Sequence, residues 1–169
     1  MNTRPIWLER IHAASQQRPV CWLQGVRRSG TTALARSIAD IDYYHCELPT
    51  VRRDLRDPEA FLDAHAGRRI VLDEIHRLDE PAELEKITAD HHPRIRILAT
   101  GSSSVGAPAK FSDTLARRKH EVWLTPTTHA DTLAFVQPDV VHRMTRGGLP
   151  PFFVAKLSPE RDYQEWLDA

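Results

Sequence analysis

The stretch whose reading decides the fold is "WLQGVRRSGTTALARSI", residues 22–38. Its apolar opening ends at Gly25, four residues separate Gly25 from Gly30, and Thr31 and Thr32 follow. A phosphate-cradling loop has this frame: glycine, four residues, glycine, lysine, then serine or threonine. The context such a loop needs is also present. "PVCWLQ" (19–24) reads as a short buried strand, and "TTALARSIAD" (31–40) as a helix with Leu34 and Ile38 on one face. Glycines at both positions permit the tight path that turns successive backbone N–H groups toward phosphate oxygens.

One position departs from the pattern. Thr31 stands where the loop lysine belongs, and threonine brings neither the charge nor the reach to the β- and γ-phosphates. Losing one charge-assisted contact costs about 1.5–3 kcal/mol, roughly ten- to a hundredfold in affinity. The penalty on turnover is larger if the lysine also offsets charge that develops during transfer. Arg27 and Arg28 lie in the middle of the loop, where side chains splay outward, and are not expected to substitute. For the loop alone, a glycine-bearing turn without a ligand remains open.

Outward from the loop, strand-like and helix-like segments alternate. "DYYHCEL" (42–48) reads as a strand stopped by Pro49, and "DPEAFLDAH" (57–65) as a helix opened by Asp57 and Pro58. "RRIVLDEI" (68–75) is the strongest strand pattern, and "EPAELEKITADHH" (80–92) reads as a helix. "RIRILAT" (94–100) is a strand broken by Gly101, and "KHEVWL" (119–124) is a fifth. Strands with helices between them predict an α/β fold, an αβα sandwich with a mostly parallel five-stranded sheet. "THADTLAFV" (128–136), "PDVVHRMTRGG" (138–148) and the last stretch, "LSPERDYQEWLDA", predict a small helical region. The expected division is a core over 1–126 and a helical region over 127–169, the start of a lid or second domain. Tyr163 and Trp166 share a face of the last helix, an apolar surface expected to need a second copy, a second domain or another protein.

Asp73 and Glu74 close the strongest strand, and the carboxyl ends of strands are where open α/β sheets bind ligands. Asp73 is placed to hold Mg²⁺ together with the Thr32 hydroxyl, and Glu74 to orient or deprotonate an attacking water. Thr100 and Ser102 end another strand, where a hydroxyl can meet a γ-phosphate or that water. Two solvated carboxylates at a turn would be the plainer reading of the acidic pair alone. Its place about forty residues after a phosphate loop favours nucleotide binding.

Composition narrows the rest. The 169 residues are 41% hydrophobic and 27% charged, enough for a buried core. The 23 basic side chains balance 23 acidic ones, so no global field draws the chain to nucleic acid or to a membrane surface. No run is apolar enough for a membrane span, and the amino end lacks a secretory pattern, so the expected location is the cytoplasm. Cys21 and Cys46 are too few for a disulfide framework. Histidines, His91 and His92 among them, show no zinc spacing. "RRKH" (117–120) lacks the aromatic interleaving that stacks bases and reads as a solvated face. "RGGLPPFF" (146–153) reads as a helix stop and rigid turn, with Phe152 and Phe153 packing.

Taken in order, "LQGVRRSGTTALARSI", "RRIVLDEIHRL", "RIRILATGSSS", "TLARRKHEVWLTP" and "RGGLPPFFVA" resemble the landmarks of prokaryotic AAA-type P-loop ATPases. The branch in question carries a carboxyl-terminal domain of uncharacterised function, and the resemblance covers about residues 1–169. It implies nucleotide contacts from Gly25, Arg27, Arg28, Ser29, Gly30, Thr31, Thr32 and Ala33. It also implies a metal site at Thr32 and Asp73, and chemistry at Glu74, Thr100 and Ser102. Arg118 matches a family arginine that meets a γ-phosphate, although the glycine before it is here Arg117. Family members continue past "EWLDA", so oligomer and partner contacts are expected on a part beyond this chain. The expected function is binding of ATP or ADP with Mg²⁺, with weak or absent hydrolysis. Two alternatives stand beside it: an interaction module of the same fold that binds no nucleotide, and part of a DNA-acting ATPase.

Overall fold

The computed structural model describes residues 3–102, 119–135, 139–155 and 160–168, with the backbone alone at Ser102, Asp162 and Trp166. Five strands, β1 (Val20–Gly25), β2 (Asp42–His45), β3 (Arg69–Asp73), β4 (Arg96–Ser102) and β5 (Lys119–Leu124), form one sheet. Every pairing is parallel and the order is β2-β3-β4-β1-β5. Each lies where an apolar run predicts it.

The alternation of side chains along a strand explains the sandwich. On β1, Val20 and Trp22 face one side, and Cys21 and Leu23 the other. The first side is covered from helices α3 (Pro49–Asp54), α4 (Pro58–Ala64) and α5 (Pro81–His91), with Phe61, Leu62 and Leu84 buried there. The second is covered by α1 (Pro5–Gln17) and α2 (Thr31–Arg36) through Trp7, Ile11, Ala14, Leu34 and Ala35. Two apolar layers thus sandwich the sheet, and each fully buried Leu or Ile contributes about 1.5–3 kcal/mol. Both cysteines are buried and unpaired, and burial pushes each thiol up to about 12, which leaves them inert packing residues.

After β5 come α6 (His129–Ala134), α7 (Val140–Arg146), α8 (Pro150–Phe153) and α9 (Glu160–Leu167). Asp131 and the Thr128 cap close a reciprocal capping box at the start of α6. Phe152 and Phe153 are buried, as the aromatic pair predicts. Tyr163 on α9 packs against Phe152 with the rings tilted and 4.2 Å between centroids, and its hydroxyl donates to the Arg146 carbonyl. Part of the apolar face expected on the last helix is therefore covered by this chain.

Several boundaries differ from expectation. β3 stops at Asp73, because Glu74 takes a left-handed φ of 58° and opens a short 3₁₀ turn, Ile75–Arg77. β4 runs through Gly101 to Ser102, where pairing with Gln24 and Gly25 of β1 outweighs the glycine's weak strand preference. Cys46 follows β2 in a turn and is not part of the strand.

Candidate functional site

Parallel register brings the predicted residues to one edge of the sheet. Gly25 pairs with Ser102 and with Leu124, and His45 pairs with Asp73, so all five strands end together. The order places β4 between β1 and β3, and the chain leaves β1 toward β2 but leaves β4 toward β5. Such a reversal opens a crevice at the strands' carboxyl ends.

Gly25 is required there by space. A Cβ on it would stand 2.7 Å from the Leu124 carbonyl oxygen and would also strike the Ser29 hydroxyl. Gly30 is required by conformation, with φ at +95° immediately before α2. Between them Arg28 also adopts a left-handed φ of 68°, and the Ser29 N–H bonds the Val26 carbonyl at 2.9 Å. Ser29 is buried, and its hydroxyl has no hydrogen-bond partner among the described residues.

Asp73 is fully buried and is the hub of the site. Its Oδ1 accepts from the Thr32 hydroxyl at 3.1 Å and from the Thr100 hydroxyl, and its Oδ2 from the Tyr43 hydroxyl. The Glu74 N–H donates to Thr100 Oγ1 at 3.2 Å, so Thr100 joins the two acidic residues. Burial, then the bond to Asp73, pushes the Tyr43 phenol up to about 12, against the opposing Arg36. The Tyr43 proton therefore stays in place as a hydrogen-bond donor. Glu74 holds its strained backbone at a cost of roughly 1–2 kcal/mol. Its Oε2 is buried without a hydrogen-bond partner, and His76 Nδ1 lies 3.3 Å away.

Two cavities adjoin the loop and share Gly30, Ala33 and Pro151. One, of about 500 Å³, is lined by Arg27, Arg28, Thr31, Thr32, Arg36 and Glu74. The other, of about 230 Å³, is mainly apolar and is walled by Leu34, Phe135, Pro150 and Val154. Arg4 reaches its edge and donates to the Ser29 carbonyl at 3.1 Å, which ties down the loop just before Gly30.

Hydrogen bonds join Thr32, Asp73 and Thr100, and Thr100 also accepts from the Glu74 N–H. Thr31 lines the larger cavity, as do Arg27 and Arg28. Ser102 ends β4 at the same edge, with only its backbone described, and Arg118 lies outside the described residues. Sequence reasoning missed Tyr43, Arg36, Arg4 and Asp131. For Tyr43 the sequence offered only its place in a strand; that this strand lies beside β3 is a matter of sheet order.

A family model described as "AAA domain" matches residues 17–133, more than half of the chain. The chain belongs to that AAA-domain family, a P-loop ATPase core in fold. Among solved structures it is similar to a Walker-type ATPase of Pyrococcus abyssi, at a TM-score of 0.65 and 16% identity. The match covers 91% of this chain and 66% of that one, so this chain spans about two thirds of that protein's length. At this identity the likeness shows the fold. No curated protein matches the chain.

Proposed function

We propose that this chain is a nucleotide-binding domain for ATP or ADP that hydrolyses ATP slowly or not at all. The pair of joined cavities carries this reading. The apolar one suits a flat base, and the larger one, with three arginines and two threonines, suits a phosphate chain. Gly30, Ala33 and Pro151 line both, so one ligand can occupy the two.

The residues present fit a magnesium ion beside the phosphates. Thr32 donates its proton to Asp73, which leaves the hydroxyl lone pairs free to face a hard cation, and Glu74, which lines the same cavity as Thr32, has a buried Oε2 without a hydrogen-bond partner. Thr32 and Asp73 would hold the ion, which when bound neutralises phosphate charge. The chain's own groups do the rest. In this reading Glu74, which lines the larger cavity, orients a water, Thr100 ties the Glu74 N–H to Asp73, the loop orients the phosphates, and Thr31 contributes a neutral side chain where a cation would assist transfer. Slow turnover follows from that last substitution.

Titration calorimetry with ATP and ADP, alongside thermal melts with and without Mg·ATP, tests the reading. A ligand of the native state raises the melting temperature, by the equivalent of about 2.7 kcal/mol at a hundred times Kd. No binding at millimolar nucleotide and no shift in melting would instead favour an interaction module. Exposed Val140, Val141 and Met144 on α7 give that second reading a surface to use.

A further inference from the structure

We infer that Arg36 supplies the positive charge that position 31 lacks, acting on the phosphate groups of the bound nucleotide. This deepens the nucleotide reading and rests on it. Arg36 and Thr31 line the same cavity, together with Thr32 and Glu74. Arg36 follows Thr32 by four residues on α2, so the two share a helical face one turn apart. Helical side chains lean toward the amino end, which carries the arginine stem back over the turn that bears Thr32.

The guanidinium is anchored on Tyr43 and makes no direct ion pair among the described residues. Its Cζ lies 4.9 Å from the centroid of the Tyr43 ring, and Tyr43 and the Asp73 charge both favour the cation, while among the described residues no carboxylate oxygen lies within ion-pair distance of it. Tyr43 in turn donates to Asp73, which keeps the cation close to Asp73 and Thr32. The two loop arginines are less well placed. All three arginines are exposed, but Arg28 lies against α8, its Cζ 5.4 Å from the Phe152 ring, and Arg27 has no described anchor. A planar guanidinium that never loses its proton is suited to phosphate oxygens. A lysine at position 31 and an arginine at position 36 are therefore two ways to bring one charge into one cavity.

The test compares the native chain, Arg36→Ala, Arg36→Lys and Arg53→Ala by calorimetric titration with ATP and with adenosine, with melting curves to confirm folding. Arg53 is an exposed arginine on α3 and controls for loss of charge alone. Arg36→Ala should weaken ATP binding about ten- to a hundredfold and leave adenosine nearly unchanged. Arg36→Lys should keep most of the affinity, and Arg53→Ala all of it. Adding Thr31→Lys to Arg36→Ala should restore ATP binding, and should gain less in the native background. If the alanine variant does not fold, Arg36→Gln keeps the stem and removes the charge. ATP binding that survives loss of the charge, or a Thr31→Lys gain equal in both backgrounds, overturns the inference and leaves the nucleotide reading standing. A native chain that binds neither ATP nor adenosine overturns both.

Discussion

Arg4 grips Asp131 across 127 residues of sequence, donating from Nε at 3.0 Å and Nη2 at 2.7 Å to the two carboxylate oxygens. Both side chains are almost wholly out of solvent. The same guanidinium donates to the carbonyls of Ser29 and Thr125, so one side chain ties the phosphate loop, the end of β5 and the start of α6. The Asp131 carboxylate also accepts from the Trp7 indole N–H at 3.3 Å and from the Thr128 N–H at 2.8 Å.

Removing either partner strands a buried charge, so Arg4→Ala should cost about 3–5 kcal/mol in denaturant unfolding. Burial opposes the Asp131 charge, but the bonds from Arg4 and Thr128 outweigh it and hold the carboxyl at about 2, below its ordinary 3.8. A depressed carboxyl stabilises fully above its unfolded value and loses that contribution as pH falls through the folded one. Melting temperature should therefore drop between pH 4 and pH 2, and Asp131→Asn should be less stable at neutral pH with a shallower drop. An unchanged acid limb in Asp131→Asn would remove this pair as its cause.

Glu85 gives the opposite sign. It is buried on the inner face of α5, where the Trp22 indole donates to Oε1 while Oε2 has no hydrogen-bond partner. Burial raises its carboxyl from 4.5 to about 7, against the lowering effects of Trp22 and Lys119. The folded state then holds a proton that the unfolded chain releases, so stability falls as pH rises from about 4.5 through about 7 and levels off above. Glu85→Gln keeps a hydrogen-bond acceptor for Trp22 without the charge. It should raise stability at pH 8 by on the order of 2–3 kcal/mol and change little at pH 5. Equal effects at both values would show that Glu85 does not titrate in this range.

The two loop glycines should separate by mechanism. Gly25→Ala drives a Cβ into the Leu124 carbonyl, so β1 and β5 must part or shift, costing about 1–3 kcal/mol. Gly30→Ala meets nothing closer than Pro150 Cγ at 3.8 Å, and its cost of roughly 1–2 kcal/mol comes from the left-handed backbone. Urea unfolding should therefore show a loss in both variants. Amide exchange should quicken along β5 in Gly25→Ala alone, and quickening there in Gly30→Ala would contradict the distinction.

These sites also show how much could be read beforehand. All five strands were legible because a parallel sheet covered on both faces writes itself as short apolar runs. α1 was not, although Trp7, Ile11 and Ala14 recur at helical spacing after Pro5, because charged and polar residues fill the gaps between them. Gly25, Thr32, Asp73 and Thr100 were legible because each lies at or near a strand's carboxyl end or opens a helix, and strand ends converge in this architecture. Arg36 and Tyr43 were not, because their meeting depends on β2 lying beside β3. Asp131 carried only a local sign, the Thr128-x-x-Asp131 cap, and nothing in that cap points to Arg4.

Thr31→Lys gives the loop the lysine of the general phosphate-loop pattern, and its effect should divide unequally between binding and turnover. With Arg36 already facing the phosphates, a second cation adds less to ground-state affinity, so ATP binding should improve by no more than about tenfold. Neighbouring charges that share one ligand are not additive. Turnover depends on charge at the transferring oxygens, the role a loop lysine fills in phosphoryl transfer, whereas the role inferred for Arg36 is in binding. Phosphate release by Thr31→Lys should therefore rise by more than its ATP affinity. Single-turnover measurements at saturating ATP separate the two effects. A gain confined to affinity would place the block to hydrolysis elsewhere than at position 31.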